Sequence, residues 1–423
     1  MDRTKTRDDE RADLLIVGGG PAGLAAAEVA AERLAGRPAR ILLAERMPTV
    51  GRKFLMAGKS GLNLTFDAEP EAFRASYAQG GGELSPMLAA FGPRQIRAWA
   101  HGLGQETFVG PSGRVFPRAM KASPLLRAWR ARLESDGVEI RTRWRWTGLE
   151  RRDDAFRARF ETPEGGEAVE AGAVVMALGG ASWPRLGSDG AWTDALGAHA
   201  PVRPFEASNV GVEIAWSEHF RARFAGAPIK GAALSVGGAP PVRGECVATA
   251  HGLEGGAIYA LSDALRARLR AGPATLTLDL SPDRSEAALS EALAKPRGKA
   301  STANWLRKAA RLVGVKAALL REAGPLPSEP LALAARIKAL PLPVLRARPI
   351  AEAISTAGGV DWPGIDASLM AKDAPGLFLA GEMIDWDAPT GGYLLTACIA
   401  TGRWAGESAA RWLETRAERA AIR

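Results

Sequence analysis

A glycine-rich turn near the start of the chain has the residue spacing of a pyrophosphate-binding turn, and it reads Gly18, Gly19, Gly20, Pro21, Ala22, Gly23. The first glycine permits a tight turn, Gly20 lets the backbone approach a phosphate, and Gly23 lets the following helix pack closely on the preceding strand. Unpaired N–H groups and the positive end of the helix dipole would face the phosphate oxygens. The turn therefore predicts a dinucleotide site that includes Gly18, Pro21 and Ala22.

A second candidate for chemistry is Glu45, which stands twenty-two residues after Gly23. A carboxylate at the end of the second strand of such a unit accepts hydrogen bonds from ribose hydroxyls and repels a 2′-phosphate. The ligand is therefore expected to be FAD or NAD rather than NADP. The adjacent Arg46 is included among the predicted contacts.

Two apolar runs must be strands for these residues to act together. Residues 13–17 (DLLIV) lead into the glycine turn, the segment LAAAEVAAERLA follows it, and residues 40–44 (RILLA) end at the acid. Strand, turn, helix and strand predict a βαβ unit with parallel strands. The alternative for the acid, a surface glutamate after a buried strand, is less favoured in this context.

The segment of residues 48–65, PTVGRKFLMAGKSGLNLT, distinguishes FAD from NAD. It carries the cations Arg52 and Lys53 and the polar side chains Ser60 and Asn63 among several glycines. An NAD dehydrogenase usually continues into another helix and strand, whereas a long polar loop suits a dinucleotide whose second half extends past the sheet. We therefore expect FAD, contacted by these four side chains. An ordinary solvated loop is the alternative, although its length would be unusual.

Together these motifs resemble one known family. VGGGPAG, LLAER and GRKFLMAGKSGLNLT are similar to the bacterial BaiN/RdsA-like family of NAD(P)/FAD-dependent oxidoreductases, which includes aminoacetone oxidase, and in particular to an uncharacterised flavoprotein subgroup of it. Most members read GRK, two or three apolar residues and then SGGGRCN. Here Lys59, Gly61 and Leu62 replace a glycine, the arginine and the cysteine, while Asn63 matches.

Further along the chain, apolar residues that alternate around turns predict a hairpin within residues 102–117, and a helix is expected near residues 122–135.

The resemblance implies FAD contacts in the middle of the chain. A strand over residues 137–146 would bring the backbone near Trp146 to the adenine. The strand of residues 173–180 would lay the small residues Ala177 and Gly179 against the cofactor. A generic buried strand and turn is an equally weighted alternative for the latter.

The resemblance also implies contacts near the end of the chain. The apolar strand of residues 376–380 ends in Gly381 and Glu382, whose carboxylate would accept a hydrogen bond from a ribityl hydroxyl. The start of the last helix would direct N–H groups at the flavin pyrimidine, which stabilises negative charge on reduction. The residues implied there are Gly391, Gly392, Tyr393 and Leu394.

Composition and charge exclude several protein classes. The chain has 423 residues, of which 47% are hydrophobic. It contains no run of about eighteen apolar residues, which a membrane-spanning helix would need, and its charged N-terminus lacks a signal-peptide pattern, so a cytoplasmic protein without a membrane partner is expected. The two cysteines and four histidines show no disulfide or metal-ligand spacing. The net charge of +8 comes from arginines scattered among glutamates, so nucleic acid is not the favoured partner.

The order of patterns predicts the domain organisation. We expect an α/β, Rossmann-like FAD-binding fold of the two-dinucleotide-binding flavoprotein type, with an inserted β-rich domain and a helical subdomain. The FAD-binding domain would comprise residues 1–204 and 346–423. Short alternating strands predict the β-rich substrate domain over residues 205–282, and helical periodicity predicts the subdomain over residues 283–345.

The predicted activity is that of an oxidoreductase with non-covalent FAD, which moves a hydride between flavin N5 and a small organic substrate bound between the FAD-binding and inserted domains. NAD(P)H as an external reductant and oxygen as second substrate both stay open, as do amine oxidation and reduction of an enone-like skeleton. The sequence singles out no catalytic residue: His251 in its glycine-rich turn is more simply a surface histidine. The alternatives are an RNA-modifying or RNA-binding flavoprotein and a redox sensor without turnover.

Overall fold

The computed structural model describes residues 10–58, 61–77 and 79–422. The chain falls into two compact units. The first contains the residues up to Glu206 and those from Ser355 onward, and the second is Ala207–Ile354. The chain therefore leaves the first unit once and returns to it once.

The first passage through unit one contains the elements that carry the glycine turn. In chain order they are β1 (Glu10–Val17), α1 (Pro21–Arg33), β2 (Ile41–Glu45), α2 (Arg52–Ala57), β3 (Thr65–Phe66), α3 (Pro70–Ala75), α4 (Gly81–Ala90), α5 (Pro93–Gly102), β4 (Thr107–Val109), β5 (Arg114–Pro117), α6 (Ala122–Ser135), β6 (Glu139–Thr142), β7 (Arg145–Arg152), β8 (Ala155–Thr162), β9 (Gly165–Met176), α7 (Thr193–Leu196) and β10 (Val202–Ser208).

Unit two is an antiparallel sheet with helices. Its elements are β11 (Val212–Glu213), α8 (Glu218–Phe224), β12 (Ala227–Val236), β13 (Val242–Ala248), β14 (Gly252–Glu254), α9 (Gly256–Tyr259), α10 (Ser262–Ala271), β15 (Ala274–Asp279), α11 (Glu286–Ala294), α12 (Thr302–Ala310), α13 (Gly314–Glu322), α14 (Pro330–Lys338), β16 (Leu340–Val344) and β17 (Arg346–Ala347). The strand order is β16-β15-β12-β13-β14-β11-β17. Helices α11 to α14 share one hydrophobic cluster with this sheet.

The returning chain completes unit one. It adds β18 (Ser355–Val360), which pairs with β10, then β19 (Leu377–Leu379) and α15 (Tyr393–Ile422). The main sheet of this unit has the order β6-β2-β1-β9-β8-β7, and β19 also pairs with β9. The pairs of β1 with β2 and β9, of β2 with β6 and of β9 with β19 are parallel, whereas β7, β8 and β9 form an antiparallel meander.

Strand β9 organises this sheet because different parts of it have different neighbours. Its first part pairs with β8, and its last three residues pair with β19 in the register Val174 to Leu377. On its other side β9 pairs with β1, where Leu15 lies opposite Val174. Leu15, Val174 and Leu377 are all fully buried, as expected for apolar strands covered on both faces. The carboxyl ends of β1, β9 and β19 are therefore adjacent.

A buried carboxylate fastens α1 to three other helices. Glu28 is 1% exposed and accepts hydrogen bonds from Trp99 Nε1 of α5 at 3.0 Å, from Trp129 Nε1 of α6 at 3.0 Å and from Arg132 Nη1 of α6 at 2.7 Å. Arg403 Nη1 of α15 lies 3.7 Å from the same carboxylate. The buried charge is thus compensated by donors and cations from α5, α6 and α15.

Several local predictions need correction. The strand predicted over residues 137–146 is two strands, β6 and β7, because Arg143 has φ 62° and the chain turns there. The predicted loop of residues 48–65 contains α2, whose Phe54 is buried. Residues 355–360 (STAGGV), for which the family resemblance implies a turn, form the fully buried strand β18.

Other local predictions are confirmed. The predicted hairpin within residues 102–117 is the antiparallel pair β4 and β5, and the helix predicted near residues 122–135 is α6. The predicted domain limits at residues 204, 282 and 346 stay predictions. Across the part of the chain that the structure describes, none of the helices has the length and apolar character needed to span a bilayer.

Candidate cofactor-binding site

A cavity of about 750 Å³ opens in unit one where the parallel strands end. Its lining includes Val17 at the end of β1, Ala44 near the end of β2 and Ala177 after β9. Ala380 and Gly381, which follow β19, also line it. In open parallel sheets, ligands bind at the carboxyl ends of the strands, so the position of the cavity is that of a ligand site.

The glycine turn forms one wall of the cavity. Gly18 has φ 108°, and a Cβ atom there would lie 2.2 Å from the carbonyl oxygen of Ala177. A Cβ atom on Gly23 would lie 1.9 Å from the oxygen of Gly18, so this glycine is required for α1 to pack against the turn. A Cβ atom on Gly20 would meet nothing within 4 Å, and Gly20 lines the cavity. The space over Gly20 is therefore open to a ligand.

Glu45 is positioned by backbone groups rather than by a cation. Its Oε2 accepts from the N–H of Gly19 at 2.7 Å, and its Oε1 accepts from the N–H of Met47 at 2.7 Å. Burial raises the pKa of this carboxyl, while the N–H groups of Met47 and Gly19 oppose that rise. Each oxygen retains a lone pair that can accept a hydroxyl hydrogen bond.

Three ion pairs account for most of the charge around the cavity. Arg46 Nη1 lies 2.6 Å from Asp189 Oδ2, and Lys53 Nζ lies 2.7 Å from Glu382 Oε2. The third pair joins Arg145, at the start of β7, to Glu161 on β8. Six of the charged lining side chains are therefore already paired.

Arg52 differs from the other cations of the cavity. Among the lining residues that the structure describes, it is the cation without an acidic partner, and its Nε is buried with no hydrogen-bond acceptor. The Nε1 atom of Trp146 is a second buried donor without an acceptor. A ligand in the cavity could accept from both donors, and leaving a buried donor without an acceptor costs about 1–3 kcal/mol.

These groups fit FAD. An anionic ligand would find the free guanidinium of Arg52 and the open backbone of the turn at Gly20. A ligand with ribose hydroxyls would find Glu45, and one with a heterocycle would find the indole N–H of Trp146. Pyrophosphate, ribose and a heterocycle are all present in the dinucleotide.

Most of the predicted site residues lie together at this cavity. Those that line it are Gly18, Gly20, Pro21, Ala22, Glu45, Arg46, Arg52, Lys53, Trp146, Ala177, Gly179, Gly381 and Glu382. Those that do not line it are Gly23, Asn63, Gly391, Gly392, Tyr393 and Leu394. Ser60 lies outside the described residues. The cofactor contact of each residue stays a prediction.

The start of α15 is built around packing contacts. The ring of Tyr393 stacks with those of Phe73 and Phe66, with centroids 4.6 Å and 5.3 Å apart. A Cβ atom on Gly392 would lie 2.6 Å from Thr65 Cα. The close approach of the β3 backbone therefore explains this glycine without a ligand.

The structure also places residues whose roles the sequence did not indicate. Trp386 is 1% exposed, and its Nε1 donates to the carbonyl oxygen of Gly381 at 2.9 Å, which fixes the turn after β19. Ser182 accepts from Lys53 Nζ at 2.7 Å. Ser182 stands close to the predicted Ala177 and Gly179, which is the one signal that could have identified it.

Cys398 lines the cavity, but its buried surroundings make the thiol unreactive. Burial raises the pKa of Cys398 to about 12, and burial likewise raises the pKa of Cys246 to about 12. At pH 8 about one thiol in ten thousand would be a thiolate, and the thiolate is the reactive form. We expect the native protein to resist a thiol-specific chromogenic reagent at pH 8, and the denatured protein to release two equivalents of chromophore. Rapid labelling of the native protein would contradict this environment.

The sequence matches one known protein family over nearly its whole length. Residues 12–408 match the profile of the HI0933-like protein Rossmann domain, which spans nearly the whole chain. The chain belongs to the HI0933-like Rossmann domain family. The resemblance to BaiN/RdsA-like flavoproteins inferred from the sequence is thereby confirmed.

The chain is also similar to individual proteins, one in sequence and two in fold. The 3-dehydro-bile acid delta(4,6)-reductase of Clostridium scindens is 27% identical over 417 residues, which cover 93% of this chain and 98% of the relative. The 3-ketosteroid-delta4-(5alpha)-dehydrogenase of Rhodococcus jostii superposes with a TM-score of 0.53 at 17% identity, covering 96% of this chain and 98% of the other. The quinol fumarate reductase of E. coli gives a TM-score of 0.52 at 17% identity, covering 98% of this chain and 74% of the other.

The predicted fold class is confirmed by these comparisons. The protein has a Rossmann-like FAD-binding fold, to which an antiparallel sheet unit is added within the chain. Its membership of this flavoprotein family makes it an FAD-dependent oxidoreductase.

Proposed function

We propose that the cavity of unit one binds FAD non-covalently and that the enzyme reduces a carbon–carbon double bond conjugated to a ketone. The observation that carries the cofactor assignment is the charge pattern of the lining. Among the charged lining side chains that the structure describes, those outside the three ion pairs are the cation Arg52 and the backbone-held acid Glu45. One free cation and one hydroxyl acceptor suit an anionic dinucleotide.

Each residue would have a separate task in binding. Arg52 and the N–H groups after Gly20 would hold the pyrophosphate, Glu45 the adenosine ribose, and Trp146 the adenine end. Glu382 would accept from the ribityl chain. These groups are fixed before the ligand arrives, because Glu45 and Glu382 already have backbone partners in Gly19 and Thr356. Preformed contacts reduce the entropy lost on binding.

FAD, when bound, supplies the hydride chemistry at N5. The choice of a conjugated double bond rests on the curated relative, whose name is that of a delta(4,6)-reductase and whose match covers nearly all of both chains. Reduction adds a hydride to the β carbon and a proton to the α carbon. An external NAD(P)H, which is oxidised to NAD(P)⁺, is the proposed source of the hydride, and solvent is the proposed source of the proton. The protein would exclude water and orient the enone beside the cofactor.

The visible absorption spectrum tests the cofactor, and anaerobic reduction tests the chemistry. We expect the purified protein to be yellow, to bleach with NADH or NADPH without air, and to regain its colour when a cyclic enone is added. Bleaching by an amine, with no response to enones, would instead support amine oxidation. A colourless protein that does not take up added FAD would contradict the cofactor assignment itself.

A further inference from the structure

The two cations at the start of α2 have different surroundings, although they are neighbours in sequence and both line the cavity. Lys53 Nζ donates to Ser182 Oγ at 2.7 Å and lies 2.7 Å from Glu382 Oε2. Arg52, in contrast, has no acidic partner among the described residues, and its Nε is unsatisfied. Two of the three ammonium N–H groups of Lys53 are therefore already bonded within the protein, which leaves one for a phosphate.

Glu382 is held from a second side by the strand that re-enters unit one. Its side chain is 6% exposed, and its Oε1 accepts from the N–H of Thr356 on β18 at 3.0 Å. The backbone at Gly180 passes close by, since a Cβ atom there would lie 3.2 Å from Glu382 Cγ and Cδ. The carboxylate is therefore confined, and Lys53 supplies the positive charge that compensates it.

We propose that Lys53 is a positioning residue, which acts on the cofactor through Glu382 and not by neutralising its phosphates. Lys53 fixes the Glu382 carboxylate so that a remaining lone pair is aimed into the cavity for a hydroxyl of the ligand. Ser182 fixes Lys53 in turn, because its hydroxyl oxygen accepts a hydrogen bond from a second N–H of the ammonium group. The inference rests on the proposed binding of FAD. Of these two cations, only Arg52 would contact the phosphates.

A double-mutant cycle on FAD affinity tests whether Lys53 acts on the cofactor through Glu382. Apoprotein of the wild type, Lys53→Met, Glu382→Gln and the double variant is titrated with FAD while the quenching of flavin fluorescence is followed. Each single change is expected to raise Kd about 10- to 100-fold, the usual range for losing a hydrogen bond to a charged group. The double variant is expected to bind within about 3-fold of the weaker single variant, because both changes remove the same interaction.

Arg52 provides the matched control. Arg52→Met is expected to raise Kd by a similar factor, but its effect should multiply with that of Glu382→Gln, because it contacts a different part of the ligand. Lys53→Arg should restore most of the affinity, since a guanidinium can bond both Ser182 and Glu382. Lys372→Met, at an exposed lysine whose Nζ donates to the carbonyl oxygen of Pro363 at 2.8 Å and which does not line the cavity, should leave Kd unchanged.

The outcomes separate the two proposals. If the effects of Lys53→Met and Glu382→Gln on Kd multiply, Lys53 acts on the cofactor independently of Glu382 and the inference is wrong. Wild-type apoprotein that fails to quench FAD fluorescence would instead overturn the proposed function. Melting temperatures identify any variant that does not fold. In that case Ser182→Ala replaces it in the cycle, with an expected loss of about 3-fold that disappears in the Lys53→Met background.

Discussion

Replacement of Gly20 by alanine is expected to give a stable protein that purifies without flavin. A Cβ atom at this position meets no protein atom within 4 Å, and the backbone there is extended with φ −80°. The added methyl group would instead occupy the open space over the glycine turn that we assign to the pyrophosphate. We expect the free energy of unfolding to change by less than about 1 kcal/mol and the Kd for FAD to rise by roughly 100-fold or more.

Two further glycines make this experiment specific. Gly23→Ala should lose both flavin and stability, because its Cβ atom would lie 1.9 Å from the oxygen of Gly18 and α1 would have to move. Gly82→Ala, on an exposed helical position with no neighbour within 4 Å, should retain full colour and wild-type stability. Flavin absorbance per mole of protein and the melting temperature are measured for all three. A fully yellow Gly20→Ala protein would mean that the pyrophosphate does not cross this glycine.

Replacement of Glu28 by alanine is expected to cause the largest loss of stability of any single change proposed for this protein. It would leave two indole N–H groups and the Arg132 guanidinium without their acceptor in the core. Removing one partner of a buried ionic network costs about 3–5 kcal/mol. Glu28→Gln keeps the shape but presents an amide N–H₂ group to Arg132, so we expect a smaller loss of about 1–3 kcal/mol.

Glu32 is the matched control for this network. It lies one turn further along α1 and pairs with Arg403 at 3.2 Å, but its side chain is 48% exposed. Exposed pairs contribute about 0–1 kcal/mol, so Glu32→Ala should unfold at nearly the wild-type urea concentration. Equal midpoints for the Glu28 and Glu32 variants would show that the buried network does not stabilise unit one.

The elements that could be predicted from sequence are those with strong local patterns. The apolar runs of β1 and β2, the β4–β5 hairpin and helix α6 were all anticipated, since alternation, turn residues and helical periodicity are local properties. The break at Arg143 was not, because a positive φ at an arginine has no composition signal. Helix α2 was hidden by its glycine-rich flanks.

For the cavity, too, the sequence indicated the residues that belong to a local pattern and not those that are distant in the chain. The turn at Gly18 and the acid Glu45 were predicted because both belong to one βαβ unit with fixed spacing. Their distant partners were not predicted. Asp189 pairs with Arg46 across 143 residues, and Ser182 bonds Lys53 across 129, and no sequence pattern joins positions so far apart. A single sequence therefore indicated residues that line the cavity but not the distant side chains that pair with its charged groups.

During synthesis, strand β9 is complete long before its partner β19 has been made. Its neighbour β19 joins it through Val174 and Leu377, which are 203 residues apart in the chain. At roughly 5–20 residues per second, a ribosome needs about 10–40 s to make the intervening segment. During that interval the end of β9 beside the glycine turn is an unpaired edge, the kind that other nascent chains can join. Slow translation or premature termination between these strands would therefore favour aggregation and leave the cavity without its last wall.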